Sequence, residues 1–565
     1  MADSERSLTM RKAARLRAVR HFSAWIALLA LLPNLQQAEA QHHSEQPPEK
    51  PAMLLPGMGE LHHPISTTSP EAQKFFDQGL TLAYGFNRPE AVRSFKRAAE
   101  LDPRAIMPYW GIAFAVGPHI NMDGDMDVDG KAGYEAIQKA LSISGSAPEN
   151  ERAYLDAIAK RFSNDPKADP QNLARDYARA MAELAKRYPD DLDAATLYGE
   201  SLMVLSRWKW WTRDGKPAEG TAEAVSALES VLRRNPLHPG ANHYFLHAVE
   251  MSPTPERALP SAARLMGVVP GIGHLVHMPG HIFMRVGDYE LAAFTNERAV
   301  AADQEYMKLT GVEPNVYTLG YYSHNIHFIA MANAAQGRFE DANRAANLLA
   351  ANAAPAVQVM PMMADYFMPV QLYVLLRFQR WDEILKSSAP EPQLVFLNAF
   401  WRYARASALA AKGNKEDALK EQRAFEEACN KVPADAMLSF NSARDVLKIT
   451  AAALDAKLAK DDRAAVEHWK RAVAAEDSLA YDEPPTWYYP VRESLGGALL
   501  RTGQPAEAEA VFREDLRRNP RNPRSLFGLM ESLKAQKKTT QADWVRREFE
   551  TAWKRAQVQL RIEDL

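Results

Sequence analysis

Residues 71–103 read EAQKFFDQGLTLAYGFNRPEAVRSFKRAAELDP. The stretch pairs one amphipathic helix with a second. Gly79 stands where two helices need a small residue to approach each other. Ala91, Phe95 and Ala98 stand at the contact positions of the second helix, and Pro103 ends it. Residues 493–520, ESLGGALLRTGQPAEAEAVFREDLRRNP, carry the same columns in Gly496, Gly503, Ala508, Phe512 and Pro520. The turn-and-helix signature returns at Gly287, Tyr289 and Ala292 and at Gly337, Phe339 and Ala342, with looser copies over 408–428 and 459–477. A helix pair of this kind cannot bury its apolar face alone, so its neighbours must complete the core.

These columns resemble the tetratricopeptide repeat (TPR) family. The resemblance covers most of 69–550, unevenly. It implies an all-α, right-handed superhelical solenoid of helix–turn–helix units. It also implies that the first helix of each unit lines a concave groove that binds a protein or peptide partner, or a small ligand. Fold alone does not decide function. The expected organisation is a signal peptide at 1–40, a flexible segment at 41–68, one array over 69–355 and a second over 356–565. Two Gly/Asp-rich insertions, 121–133 and 206–220, interrupt the period.

The signal peptide reading rests on the basic residues Arg11 to Arg20, a short apolar run at Ala24–Leu32 and the small-x-small pattern of Ala38 to Ala40. It predicts a periplasmic or secreted mature chain. No segment is long and apolar enough to span a bilayer. The net charge of −3 gives no reason to expect nucleic acid as a partner. Cys429 is the chain's one cysteine, so an intramolecular disulfide is excluded and a metal site must draw on histidine and carboxylate.

Residues 239–331 hold His243, His247, His274, His277, His281, His324 and His327, seven of the chain's 15 histidines. His243 and His277 are 34 residues apart, as are His247 and His281, and 34 is the tetratricopeptide period. His277 and His327 each stand ten residues before a turn glycine, Gly287 and Gly337. The alignment therefore puts His243, His277 and His327 in one column, His274 and His324 in a second, and His247 and His281 in a third. Spacings of three, four and seven share a helix face, which also brings Glu250 into line with His247. Imidazole is the commonest ligand of zinc and copper. The columns thus predict a His-lined zinc or copper site within the groove. The rival reading of the same residues is a metal-dependent hydrolase or oxidase with Glu250 as acid/base. Pro279 counts against a single face, because a helix starting near Met278 would leave His274 and His277 on its lead-in.

Two further features are weaker. Asp125, Asp127 and Asp129 before Gly130 match the first half of a calcium loop, but Ala136 stands where the closing bidentate glutamate belongs. Trp208, Trp210 and Trp211, with Trp487 and Tyr488, form aromatic clusters that would suit either a ligand-stacking wall or a solenoid core. Gly-rich phosphate loops, nucleophile elbows and HExxH motifs are absent.

Overall fold

The computed structural model describes residues 52–121 and 128–565. The proposed leader and the flexible segment up to residue 51 lie outside these residues. So do Asp125 and Asp127 of the calcium-loop reading. Asp129 caps the helix Gly130–Ile143 by accepting the Ala132 amide.

The described chain is an all-α array of helix hairpins. The first pairs Pro70–Tyr84 with Arg88–Leu101. Ser69 caps its start by accepting the Ala72 amide, and a proline occupies the first turn, where no amide partner is needed. A Cβ at Gly79 would come within 2.7 Å of the Phe95 ring, so the glycine sets how closely the helices pack. The hairpin Val491–Arg501 and Pro505–Arg518 repeats this solution, with Gly496 and Gly528 both against Phe512. Phe512 is fully buried. Phe512→Ala is expected to cost about 3–5 kcal/mol, read as a lower denaturant midpoint at unchanged slope.

The apolar residues fall into two cores, one drawn from Leu55 to Ala332 and the other from Val300 to Leu565. They interleave in the helices Tyr289–Thr310 and Tyr322–Ala335. The array also closes on itself. Trp208 packs on Phe440 at 4.8 Å, and the Gln557 amide donates to the Gly337 carbonyl at 2.9 Å. A two-stranded ribbon, Met437–Leu438 with Asn441–Ser442, holds Ser439 and Phe440 at its tip.

The segment 52–68 is not the flexible lead-in its composition suggested. Leu55 and His63 are buried. Gln78 accepts the Leu55 amide at 2.7 Å and donates to the Met53 carbonyl at 2.9 Å. The Gly271 amide donates to the Gly57 carbonyl at 2.8 Å. Proline-rich chain without periodicity is ordered here because the first hairpin satisfies its backbone.

Among the described residues, no helix is long and apolar enough to cross a membrane.

Candidate metal centre

The sequence-predicted histidines converge, in groups that differ from the columns. One ligand nitrogen from each of His243, His247 and His274 lies within 4.8 Å of the others, and the same holds for His277, His281 and His324. Within the first trio the Nε2 atoms of His243 and His274 are 3.2 Å apart. Within the second, His281 Nε2 is 2.8 Å from that of His277 and 3.5 Å from that of His324. Three ligands on one tetrahedral ion at bonds of about 2.05 Å stand roughly 3.3 Å apart. His327 joins neither trio. It is buried with its ring edge-on to Tyr366 and Phe367 at 5.8 and 6.1 Å. His243, His277 and His327 therefore do not form the shared column.

Pro279 does not break the face. Met278 between the helices Gly273–His277 and Pro279–Arg285 keeps helical angles, φ −50° and ψ −38°. Its amide still reaches the His274 carbonyl at 3.1 Å. Proline in a first turn removes an amide that needs no partner, so the helical path runs on and carries His274, His277 and His281 together. Just before His324, residues Tyr317–Tyr321 form a π-turn, a widening that often accompanies functional sites.

The groups behind the imidazoles give the site its chemical character. His243 donates from Nδ1 to the Tyr84 carbonyl at 2.5 Å, and His277 donates from Nδ1 to Asn296 Oδ1 at 2.6 Å. Glu250 accepts from Nδ1 of both His247, at 2.7 Å, and His281, at 2.5 Å. These acceptors fix the tautomer, with the proton on Nδ1 and the Nε2 lone pair turned inward. It is the arrangement that metal-binding histidines use. His247 Nε2 is buried with no partner among the described residues.

Burial, reinforced by neighbouring imidazoles, lowers the pKa of His243, His274, His277 and His324 and keeps them neutral. Burial opposes ionisation of Glu250, but His281 and His247 outweigh it and hold the carboxyl well below its usual range. Burial also works against the charged form of His281, and there Glu250 prevails and raises the pKa.

Glu250 is fully buried behind the rings and does not line the cavity in front of them. As placed, it orients two imidazoles and does not face the cavity. The cavity, about 500 Å³, is lined by His247, His274, His281 and His324, with Trp208, Tyr321, Phe367, Phe440 and a methionine-rich stretch. Its carboxyls are Asp482 and Glu483, both pushed up to about 7 chiefly by burial. The sequence reading missed these two, because they sit in a loop without a motif some 200 residues from the histidines.

Each trio carries one phenylalanine against its rings. Phe86 lies 4.5 Å from His243, 5.1 Å from His274 and 6.1 Å from His247. Phe328 lies 4.7, 4.8 and 5.0 Å from His277, His281 and His324. Phe86 has φ 57°, in the turn position that glycine fills at Gly287, Gly337 and Gly503 with φ of 74–75°. A left-handed non-glycine residue costs about 1 kcal/mol or more. The ring over the first trio is the feature that a glycine would lack.

The aromatic clusters divide. Trp208 lines the cavity, 5.6 Å edge-on to His247. Trp210 is fully buried core and donates to the Met203 carbonyl, and Trp211 donates to the Ala248 carbonyl. Trp487 and Tyr488 pack around Tyr373 and border a separate cavity of about 280 Å³.

Another metal-like group, His63 with Asp191 and Asp193, borders a third cavity. Asp193 already accepts from Tyr84 Oη at 2.6 Å, His63 Nδ1 at 2.9 Å and His238 Nε2 at 3.2 Å. This cluster anchors Tyr84, whose carbonyl in turn holds His243.

No family profile and no curated protein matches the chain. Among solved structures it is similar to the APC/C hetero-tetramer Cut9–Hcn1, at 13% identity and a TM-score of 0.31, over 82% of this chain and 76% of that one. It is also similar to a human IFIT1 dimer with m7Gppp-AAAA, at 13% identity and 0.33, over 86% and 91%. Yeast Tom70 follows at 13% and 0.28, over 87% and 93%. Likenesses this slight say nothing of function, and the chemistry of the site rests on its own residues.

Proposed function

We propose that this chain is a metalloprotein whose six histidines, His243, His247, His274, His277, His281 and His324, hold a pair of zinc or copper ions within a TPR-like solenoid. The observation that carries the reading is the ring of Nδ1 acceptors, Tyr84, Glu250 and Asn296, which turns four Nε2 lone pairs toward one another. Three neutral nitrogens per ion leave a coordination position open. In each trio two of the three histidines face the cavity, so the open positions would face it too.

A cavity of about 500 Å³ suits a small molecule. An extended peptide would need a longer open groove, so a protein partner would dock elsewhere on the solenoid. A bound ion would polarise a small ligand or lower the pKa of water. Under an enzymatic reading, Asp482 and Glu483 are the groups placed to exchange protons, and Glu250 orients the ligands. Export to the periplasm or beyond rests on the basic and apolar leader alone.

Elemental analysis of protein purified from its native compartment tests the reading. Two ions per chain are expected in the parent, and one in each of His243→Ala and His277→Ala. A metal-free native protein, or equal stoichiometry in the parent and both variants, defeats it.

A further inference from the structure

The six imidazoles do not by themselves choose between zinc and copper, because both ions accept nitrogen ligands. The wall of the cavity in front of them is more selective. Met360, Met362 and Met363 all line the cavity shared with His247, His274, His281 and His324. Met362 is 54% exposed, and Met360 and Met363 are half-buried. Met360 and Met363 pack against the second core while still opening on the cavity, and Met362 lies open to solvent, which forgoes part of the gain from burial. The histidines behind them are buried, except His324, which is half-buried and stands nearest in exposure to the methionines. Exposure thus falls in sequence from thioethers to imidazoles.

Thioether sulfur is a soft, neutral donor. It takes Cu(I) and has little affinity for zinc, magnesium or calcium. We propose that Met360, Met362 and Met363 form a Cu(I) acquisition site at the mouth of the cavity and pass the ion inward to the histidine trios. The inference rests on the metal reading above and narrows it to copper. Transfer is a ligand exchange in which sulfur contacts give way to nitrogen contacts and copper stays Cu(I). No electron moves and no oxidant is needed. The direction follows from donor strength and number, since weak thioethers at an open mouth yield to several imidazoles already oriented by their acceptors.

The test uses the full chain and the triple variant Met360→Leu/Met362→Leu/Met363→Leu, which keeps side-chain volume and apolarity. Each is mixed anaerobically with Cu(I) held by a weak competing chelator and, separately, with Zn(II), and loading is followed in time. The expected result is Cu(I) loading slowed about tenfold or more in the triple variant, with Zn(II) loading and the final amounts of both ions unchanged. Unchanged Cu(I) loading overturns the proposal, and so does equal slowing of both ions.

A second variant, His247→Ala/His281→Ala, separates this proposal from the one it rests on. X-ray absorption of that variant with one equivalent of Cu(I) is expected to show copper–sulfur scattering that the methionine variant lacks. Absent sulfur scattering defeats the acquisition site. A parent chain that binds neither ion at nitrogen, while this variant still shows copper–sulfur scattering, defeats the histidine centre and leaves the methionine site standing.

Discussion

Glu250→Gln is expected to abolish tight binding at one histidine trio and spare the other. Glu250 serves both trios at once, through Oε1 to His247 and Oε2 to His281. A glutamine keeps the shape but offers one acceptor oxygen and one NH2 donor. The imidazole facing the oxygen keeps its proton on Nδ1 and its bare Nε2. The imidazole facing the NH2 must present a lone pair there, so its proton moves to Nε2 and blocks the metal. Losses from such second-layer changes run to about 10–100-fold in affinity. A competition titration should therefore resolve one site near parental affinity and one weakened by that order. Two unchanged sites would show that the carboxylate does not set the tautomers. Glu250→Ala should weaken both trios, because neither His247 nor His281 then has an acceptor to hold its Nδ1 proton. Glu250 raises the pKa of His281, so protons compete with an incoming ion there. Uptake should therefore weaken as the pH falls.

Metal itself is expected to raise the stability of the chain substantially. Without an ion, His247 Nε2 is buried with no partner among the described residues. Each unmet buried polar atom costs about 1–3 kcal/mol. An ion that binds only the folded chain adds about 2.7 kcal/mol at a free concentration a hundredfold above its Kd. Two ions add about 5 kcal/mol, a large share of the 5–15 kcal/mol typical of a whole domain. Denaturant unfolding with and without a chelator measures this directly. His243→Ala and His277→Ala should each retain about half of the gain. A midpoint indifferent to chelation would argue that the trios are only a polar core.

The hairpins were legible because their packing is local. Gly79 with Phe95 and Gly496 with Phe512 are pairs 16 residues apart, within reach of any repeat pattern. The histidine face was legible for the same reason, since steps of three and four keep side chains on one side of a helix. The grouping was not. Columns aligned on turn glycines treat every first helix as rotated alike, whereas the π-turn before Tyr322 resets the rotation of the last one. His324 and His327, three residues apart, differ by about 60° around the helix, and only the fold decides which of them faces the centre. Tyr84, Asn296, Asp482 and Glu483 could not be read at all. They enter through a main-chain carbonyl, a neighbouring second helix and a returning loop, none of which leaves a spacing in the sequence.

The two phenylalanines have a kinetic consequence. Phe86 and Phe328 pack against the rings and neither lines the cavity of about 500 Å³, so an ion reaching the imidazoles that open on that cavity would pass through it. A small molecule seated in that cavity is then also a stopper. While it stays, it would slow the exchange of any ion held by the imidazoles that line the cavity, however weak its own bonds.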